Sequence, residues 1–172
     1  MRGPWDGVKD IDTPLRKRPI DSPGSDNIED SLKFFEEQGA PKSQLIVELA
    51  FYGKTFTLLD PSQHSLHAPF SGDGDPGPYT NDPGHLVYYE ICQKVQQEGW
   101  TREYDNIGAA SYAYKGNQWV GYDDEQSIAA KVNFIKQKGY GGAMIWAIDE
   151  DDFRGVCGPK HALIGLVANG LR

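Results

Sequence analysis

The residues best suited by type and spacing to do chemistry are a tryptophan and the acids behind it. Residues 140–153 read YGGAMIWAIDEDDF, so Trp146 closes an apolar run and Asp149, Glu150, Asp151 and Asp152 follow at once. A flat indole offers a face on which a sugar ring can stack. Carboxylates can move protons or hold cations, but four neighbouring ones cannot all be buried unpaired, so this end must open onto solvent, a cleft or basic partners. A fifth acid, Glu48, sits inside a second apolar run, LIVELAFY (45–52). It needs a cationic or protonated partner unless that part of the strand is open. His64, His67 and His85 lack the close helical or cysteine-paired spacing that metal sites favour, and no metal or other cofactor is expected. Cys92 and Cys157 fit either one disulfide or two free thiols.

These groups have to be carried on regular elements. Asp26 with Glu29 fits a capping box, Ile28, Leu32 and Phe35 recur at helical spacing, and Gly39 with Pro41 gives a stop. Residues 45–52 read as a buried strand ended by Gly53. Extended chain continues over 55–59, and 64–84 is a loop dense in Gly, Pro, Ser and Asp. Residues 85–98 read as helical up to Gly99, and 100–104, 111–114 and 118–122 as short strands, the last two joined by a turn at 115–117. Asp123 with Gln126 opens another helix, closed at Lys138-Gly139. The apolar strand at 143–148 follows, and a last helix spans 161–169.

Without the middle portion, the order is helix, strand, helix, strand, helix, which implies parallel strands with right-handed crossovers. In parallel α/β folds the C-terminal ends of the strands are where ligands bind, and Trp146 stands at such an end. Two parallel strands alone leave both sheet edges open, so the chain reads as part of a larger α/β barrel or sheet. Residues 1–53 and 123–172 are assigned to that partial barrel, and 54–122 to an inserted small α+β domain.

Composition narrows the partners. The net charge of −8 and pI near 4.9 argue against nucleic acid, whose binding depends on Lys and Arg. A mean hydropathy of −0.58 and the lack of any long apolar run argue against a membrane span. Aromatics make up 12% of the chain, including four Trp and nine Tyr, more than a plain core needs. The start, MRGPWDGVKD, is polar and broken by Pro and Gly, unlike a targeting segment.

Four motifs carry a resemblance. FYGKTFTL (51–58), PGPYT with YYEIC (76–80 and 88–92), QWVGYDDEQSI (118–128) and GYGGAMIWAIDEDDFRGVCG (139–158) resemble the C-terminal third of glycoside hydrolase family 18 chitinases of the arthropod type. The opening RGPWDG resembles the loop after that family's sixth barrel strand, so the likeness spans essentially the whole chain. It implies the last two strands of a (β/α)8 TIM barrel with the chitinase insertion domain between them. It also implies chitin or a chitooligosaccharide as ligand. By resemblance Trp146 is the floor of the subsite where the bond is cut, and Met144, on the same strand face, lines that pocket. Tyr52 and Lys54 match a Tyr-Gly-Arg motif whose polar ends reach the sugar, with Lys lacking the forked donor of Arg. Trp5 matches an aromatic on the leaving-group side, and Asp82 and His85 fall on the cleft wall. Cys92 and Cys157 match a family disulfide, which implies an extracellular protein.

One departure matters more than the matches. These chitinases carry their acid in a D-x-x-D-x-D-x-E run and use the substrate's own N-acetyl oxygen as nucleophile. No acids at that spacing occur here: Asp149 and Asp152 fit the first two places, but Arg154 and Val156 hold the next. Asp149 to Asp152 are therefore expected to be loop and cap residues, and no residue is assigned as catalytic. Three readings follow: part of a chitinase cleft without its acid and inactive alone, a lectin-like chitin-binding protein, or a module completed by a partner that supplies the remaining strands.

Overall fold

A computed structural model describes residues 9–172, and these form two sheets with four helices. The strands are β1 (Ile46–Ala50), β2 (Tyr52–Leu58), β3 (Phe70–Asp73), β4 (His85–Val87), β5 (Thr101–Asp105), β6 (Ala110–Lys115), β7 (Gln118–Tyr122) and β8 (Gly142–Trp146). The helices are α1 (Ile28–Glu37), α2 (Tyr88–Gln97), α3 (Glu125–Lys138) and α4 (Ala162–Gly170).

β1 and β8 pair in parallel, with Glu48 opposite Met144 and Ala50 opposite Trp146. The other six strands form a separate antiparallel sheet in the order β3-β2-β7-β6-β5, with β4 also paired to β2. Phe51, fully buried, joins the two. Its N–H donates to the Trp146 carbonyl at 2.8 Å, and its own carbonyl accepts from Tyr88 N–H at 2.8 Å. Gly53 follows because a side chain there would strike Val120 and Ile91, with a Cβ only 2.6 Å from Val120 Cγ2. The chain can therefore pass from one sheet into the other only with a residue that leaves this space empty.

Val47 and Leu49 on β1 point into a core shared with Ile128, Val132 and Ile135 of α3, Leu163 of α4 and Ile91 of α2. The opposite face of the parallel pair is open, with Ile46, Met144 and Trp146 exposed. A second cluster, Ile11, Phe56, Leu58, Ala110 and Trp119, lies across the antiparallel sheet. The irregular chain before α1 is tied down by charge rather than by secondary structure. Arg18, buried, pairs with Asp10, Asp21 and Asp105. Lys131 of α3 reaches Asp123 at 2.6 Å and the Thr13 carbonyl at 2.7 Å, so both ends of that buried pair are satisfied.

Several boundaries differ from expectation. Asn27, not Asp26, caps α1, its side chain accepting from Asp30 N–H at 2.9 Å, and Phe35 stays exposed on the finished helix. The strand expected to end at Gly53 instead breaks at Phe51 and resumes for seven residues as β2. The segment 64–84 contains β3, and 85–87 is a strand because Tyr52, Gly53 and Lys54 offer their edge to it before the helix begins. Asp124, with Ser127 as its reciprocal partner, caps α3 one residue later than the Asp123 pairing implied. Asp123 is drawn inward by Lys131 instead. α3 closes at Gly139, whose φ of 74° is the left-handed conformation expected of such a stop. β8 ends at Trp146, and a single 3-10 turn occupies Ile148–Glu150.

Candidate functional site

Trp146 ends β8 with its side chain on the open face, 58% exposed, and Met144 lies two residues earlier on that face, 41% exposed. An indole this exposed at the C-terminal end of a parallel strand forms a platform rather than a core contact. The peptide that follows it is held at both of its polar groups. The Trp146 carbonyl accepts from Phe51, and the next N–H, that of Ala147, donates to Glu150 Oε2 at 2.6 Å. The Trp146–Ala147 peptide is cis.

Beside the platform lies a polar cluster on β2 and β4. Tyr52 is buried and donates its hydroxyl to Asp12 Oδ2 at 2.6 Å. Burial and then the Asp12 bond hold that phenol well above its ordinary range, so it stays a neutral donor. The His85 ring stacks on Tyr52 at 5.0 Å between centroids, and Lys54 Nζ lies 5.2 Å from the Tyr52 ring centre. His85 Nε2 in turn lies 3.4 Å from Glu150 Oε1. A continuous path of side chains thus runs from Asp12 through Tyr52 and His85 to Glu150, and from Glu150 to the peptide that follows Trp146.

Glu48 belongs to the same face as Met144, its cross-strand neighbour. Burial raises its carboxyl, and nearby Asp12 raises it further. Its Oε1 is buried and has no hydrogen-bond partner among the described residues. Its need for a protonated or cationic companion, read from the sequence, therefore stands unmet within the described chain.

The four acids behind Trp146 separate into different roles. Asp149 is exposed. Asp151 and Asp152 are almost completely buried and act as backbone acceptors. Asp151 takes Ile164 N–H at 2.9 Å and Leu163 N–H at 3.4 Å, satisfying the start of α4 from outside the helix. Asp152 takes Gly155 N–H and Cys157 N–H, each at 2.8 Å. These two are structural caps, as their place after the strand implied. Cys92 and Cys157 form a disulfide.

Of the expected site residues, Trp146 and Met144 share one face, and Tyr52, Lys54 and His85 form one cluster next to it. Asp82 is apart from both, exposed in the turn before β4, where its carbonyl accepts from His85 N–H at 3.3 Å. Trp5 lies outside the described residues. Sequence reading does not pick out Asp12, and it takes Glu150 only as one of four loop and cap acids. Asp12 carries no local mark because its partner Tyr52 is 40 residues away, whereas Glu150 reaches Ala147 N–H at the local i, i+3 spacing and only its His85 contact is set by the fold. The histidines go to separate places: His64 stacks on Tyr114, and His67 lies 3.1 Å from Asp10 and 3.3 Å from Asp21. Asp10, Asp21 and His67 could by distance hold a metal ion, but Arg18 already occupies both carboxylates.

Comparison with known proteins gives this geometry a context. The model of the family described as Glycosyl hydrolases family 18 matches residues 1–151. An endochitinase of Manduca sexta is 47% identical over 175 aligned residues, covering 97% of this chain and 32% of the relative. An immunomodulatory active chitinase from Trichuris suis superimposes with a TM-score of 0.95 at 38% identity, over 99% of this chain and 48% of that one. Human YKL-39, described as a pseudo-chitinase with retained chitooligosaccharide binding properties, superimposes at 0.92 and 38% identity, again over 99% and 48%. The chain thus spans about a third of that curated relative and just under half of these solved structures. Its fold is α/β, the C-terminal part of a (β/α)8 TIM barrel carrying an inserted α+β portion. With the family match extending over most of its residues, the chain belongs to glycosyl hydrolase family 18.

Proposed function

We propose that this chain supplies the floor and one wall of a chitooligosaccharide-binding cleft, and that it does not hydrolyse chitin by itself. The observation that carries the reading is the Trp146 indole, exposed at the ligand end of a parallel strand with Met144 beside it. Tyr52, Lys54 and His85 provide the polar wall, Asp82 belongs to its outer reaches, and Trp5, outside the described residues, is assigned to the leaving-group side by family resemblance. Residues 54–122 are the insertion that forms this wall, and 1–53 with 123–172 the barrel portion that carries the floor. The four acids that follow Trp146 are engaged elsewhere, which supports the non-catalytic reading: Asp151 and Asp152 accept from backbone N–H groups, Glu150 accepts from Ala147 N–H, and Asp149 is exposed. The disulfide supports an extracellular setting, since such bonds persist in oxidising compartments.

Binding without catalysis is the form of this reading that the YKL-39 likeness favours, because that protein is described as keeping oligosaccharide binding. The test uses the 172-residue chain on chitin beads, with a fluorogenic chitobioside as the assay for cleavage. Retention that Trp146→Ala abolishes, with no turnover of the chitobioside, is the expected result. Turnover above that of a mock-purified control overturns the non-catalytic reading. Failure of the wild-type chain to be retained overturns the cleft assignment and leaves a module that requires a partner to complete the barrel.

A further inference from the structure

We propose that Glu150 is a positioning residue that fixes the Trp146 platform without touching the ligand, and that His85, besides its place on the wall, braces Glu150 from the antiparallel sheet. The inference deepens the cleft reading above, and rests on it for its effect on sugar binding. The two residues come from different parts of the fold. His85 opens β4 of the antiparallel sheet, paired with Lys54, and Glu150 ends the 3-10 turn that follows β8.

Glu150 has two oxygens and two separate tasks. Oε2 accepts from Ala147 N–H at 2.6 Å, and Glu150 N–H donates back to the Ala147 carbonyl at 3.0 Å, closing a reciprocal loop directly after Trp146. Oε1 faces His85 Nε2 at 3.4 Å. Both side chains are largely covered, at 20% exposure for His85 and 13% for Glu150, so the contact is less screened than a surface pair. His85 is itself immobilised by the Tyr52 ring, and Tyr52 by Asp12. A rigid path therefore ends on the peptide next to the platform. On the other side Phe51 holds the Trp146 carbonyl. The indole has little packing of its own to fix it, being more than half exposed, so its angle depends on these backbone restraints.

The pair also divides the labour cleanly enough to be tested. Glu150→Ala removes both contacts, Glu150→Gln keeps an oxygen for the Ala147 N–H, and His85→Ala breaks the brace from β4 to Glu150 together with the ring contact to Tyr52. The experiment labels tryptophan with 5-fluorotryptophan in the full chain, assigns the Trp146 resonance with Trp146→Phe, and measures chitohexaose affinity by calorimetry. Glu150→Ala is expected to shift or broaden the Trp146 signal while Trp100 and Trp119 stay in place, and to weaken chitohexaose roughly tenfold. Glu150→Gln should recover most of both effects, and His85→Ala should show a smaller change of the same kind. Should Glu150→Ala fail to fold, His85→Ala carries the test alone. A Trp146 resonance unmoved in Glu150→Ala, or in His85→Ala where that variant carries the test, overturns the inference, as does unchanged affinity when Trp146→Ala abolishes binding. A moved resonance in a wild-type background that binds no chitohexaose supports the positioning role and sinks the cleft reading instead.

Discussion

At the scale of single residues, this molecule places ionisable groups where water cannot reach them, and each needs a reason to be there. Asp123 has Lys131, Arg18 has three aspartates, and Tyr52 has Asp12. Lys9, like the buried Oε1 of Glu48, lacks such a partner among the described residues. It is fully covered, with Nζ 4.3 Å from the centre of the Trp119 ring and 3.2 Å from the His64 carbonyl, and no carboxylate pairs with it among the described residues. The Trp119 face favours the ammonium by about 1–2 kcal/mol, less than the burial it must offset. Burial pushes the Lys9 ammonium down to about 7. In the unfolded chain the same group titrates near ~10.4. Between those values the unfolded state holds the extra proton, so stability rises with pH across the window and is lost again as pH falls toward 7. Urea unfolding from pH 7 to 10 should show this as a slope approaching about 1.4 kcal/mol per pH unit that is present in wild type and absent in Lys9→Met. Parallel curves for the two proteins would show that Lys9 keeps its proton or finds water.

At the scale of elements, the junction between β8 and α4 has no regular structure beyond one 3-10 turn and is held by specific bonds. Asp151 starts α4, Asp152 folds the intervening loop, and the disulfide fixes Cys157 to Cys92 of α2, with Gln96 donating to the Cys157 carbonyl at 2.9 Å. The bridge closes a span of 65 residues. A loop of that size gives about 4 kcal/mol by chain entropy alone, and native bridges deliver about 2–4 kcal/mol. Cys92→Ser with Cys157→Ser should lower the unfolding free energy by that amount, read from the urea midpoint at constant slope. No change in midpoint would mean that the aspartate caps hold the junction unaided. Much of this element layer was legible in the sequence. The apolar run before Trp146, the helix at Glu125–Lys138 and the hairpin at residues 115–117 follow from period and turn chemistry. Boundaries went astray where a distant partner decided them. Asp123 looks like a cap until Lys131 claims it, and residues 85–87 look helical until β2 offers an edge. The same reason hides Asp12 and the contact of Glu150 with His85: those partners are set by the fold, and no local rule names them.

At the scale of the whole molecule, the two sheets are unequally supported. In the antiparallel sheet, β2, β6 and β7 each have neighbours on both sides, and a core lies against each face. The parallel pair has α3 and α4 packed on one face only, and β1 and β8 each bond to a single strand. Its other face carries Ile46, Met144 and Trp146, and an open groove of about 300 Å³ runs between β1 and α1, lined by Ile28, Leu32, Phe35 and Ile46. Such a pair buries apolar side chains on one face only, so less opposes its opening than opposes that of a strand enclosed on both faces. It should therefore open as a unit below the global unfolding energy. Hydrogen exchange offers a direct measurement. Amides of Val47 to Ala50 and of Ala143 to Trp146 should exchange at least about tenfold faster than those of Ala113 and Val120, with a weaker denaturant dependence. The Phe51 amide, bonded to Trp146 across the junction, should follow the fast group although its side chain is fully buried. Uniform slow exchange through both sheets, in a monomer, would show that one cooperative core spans them. The groove and the exposed strand face would then be a finished surface of a stable molecule rather than the exposed side of an incompletely covered one.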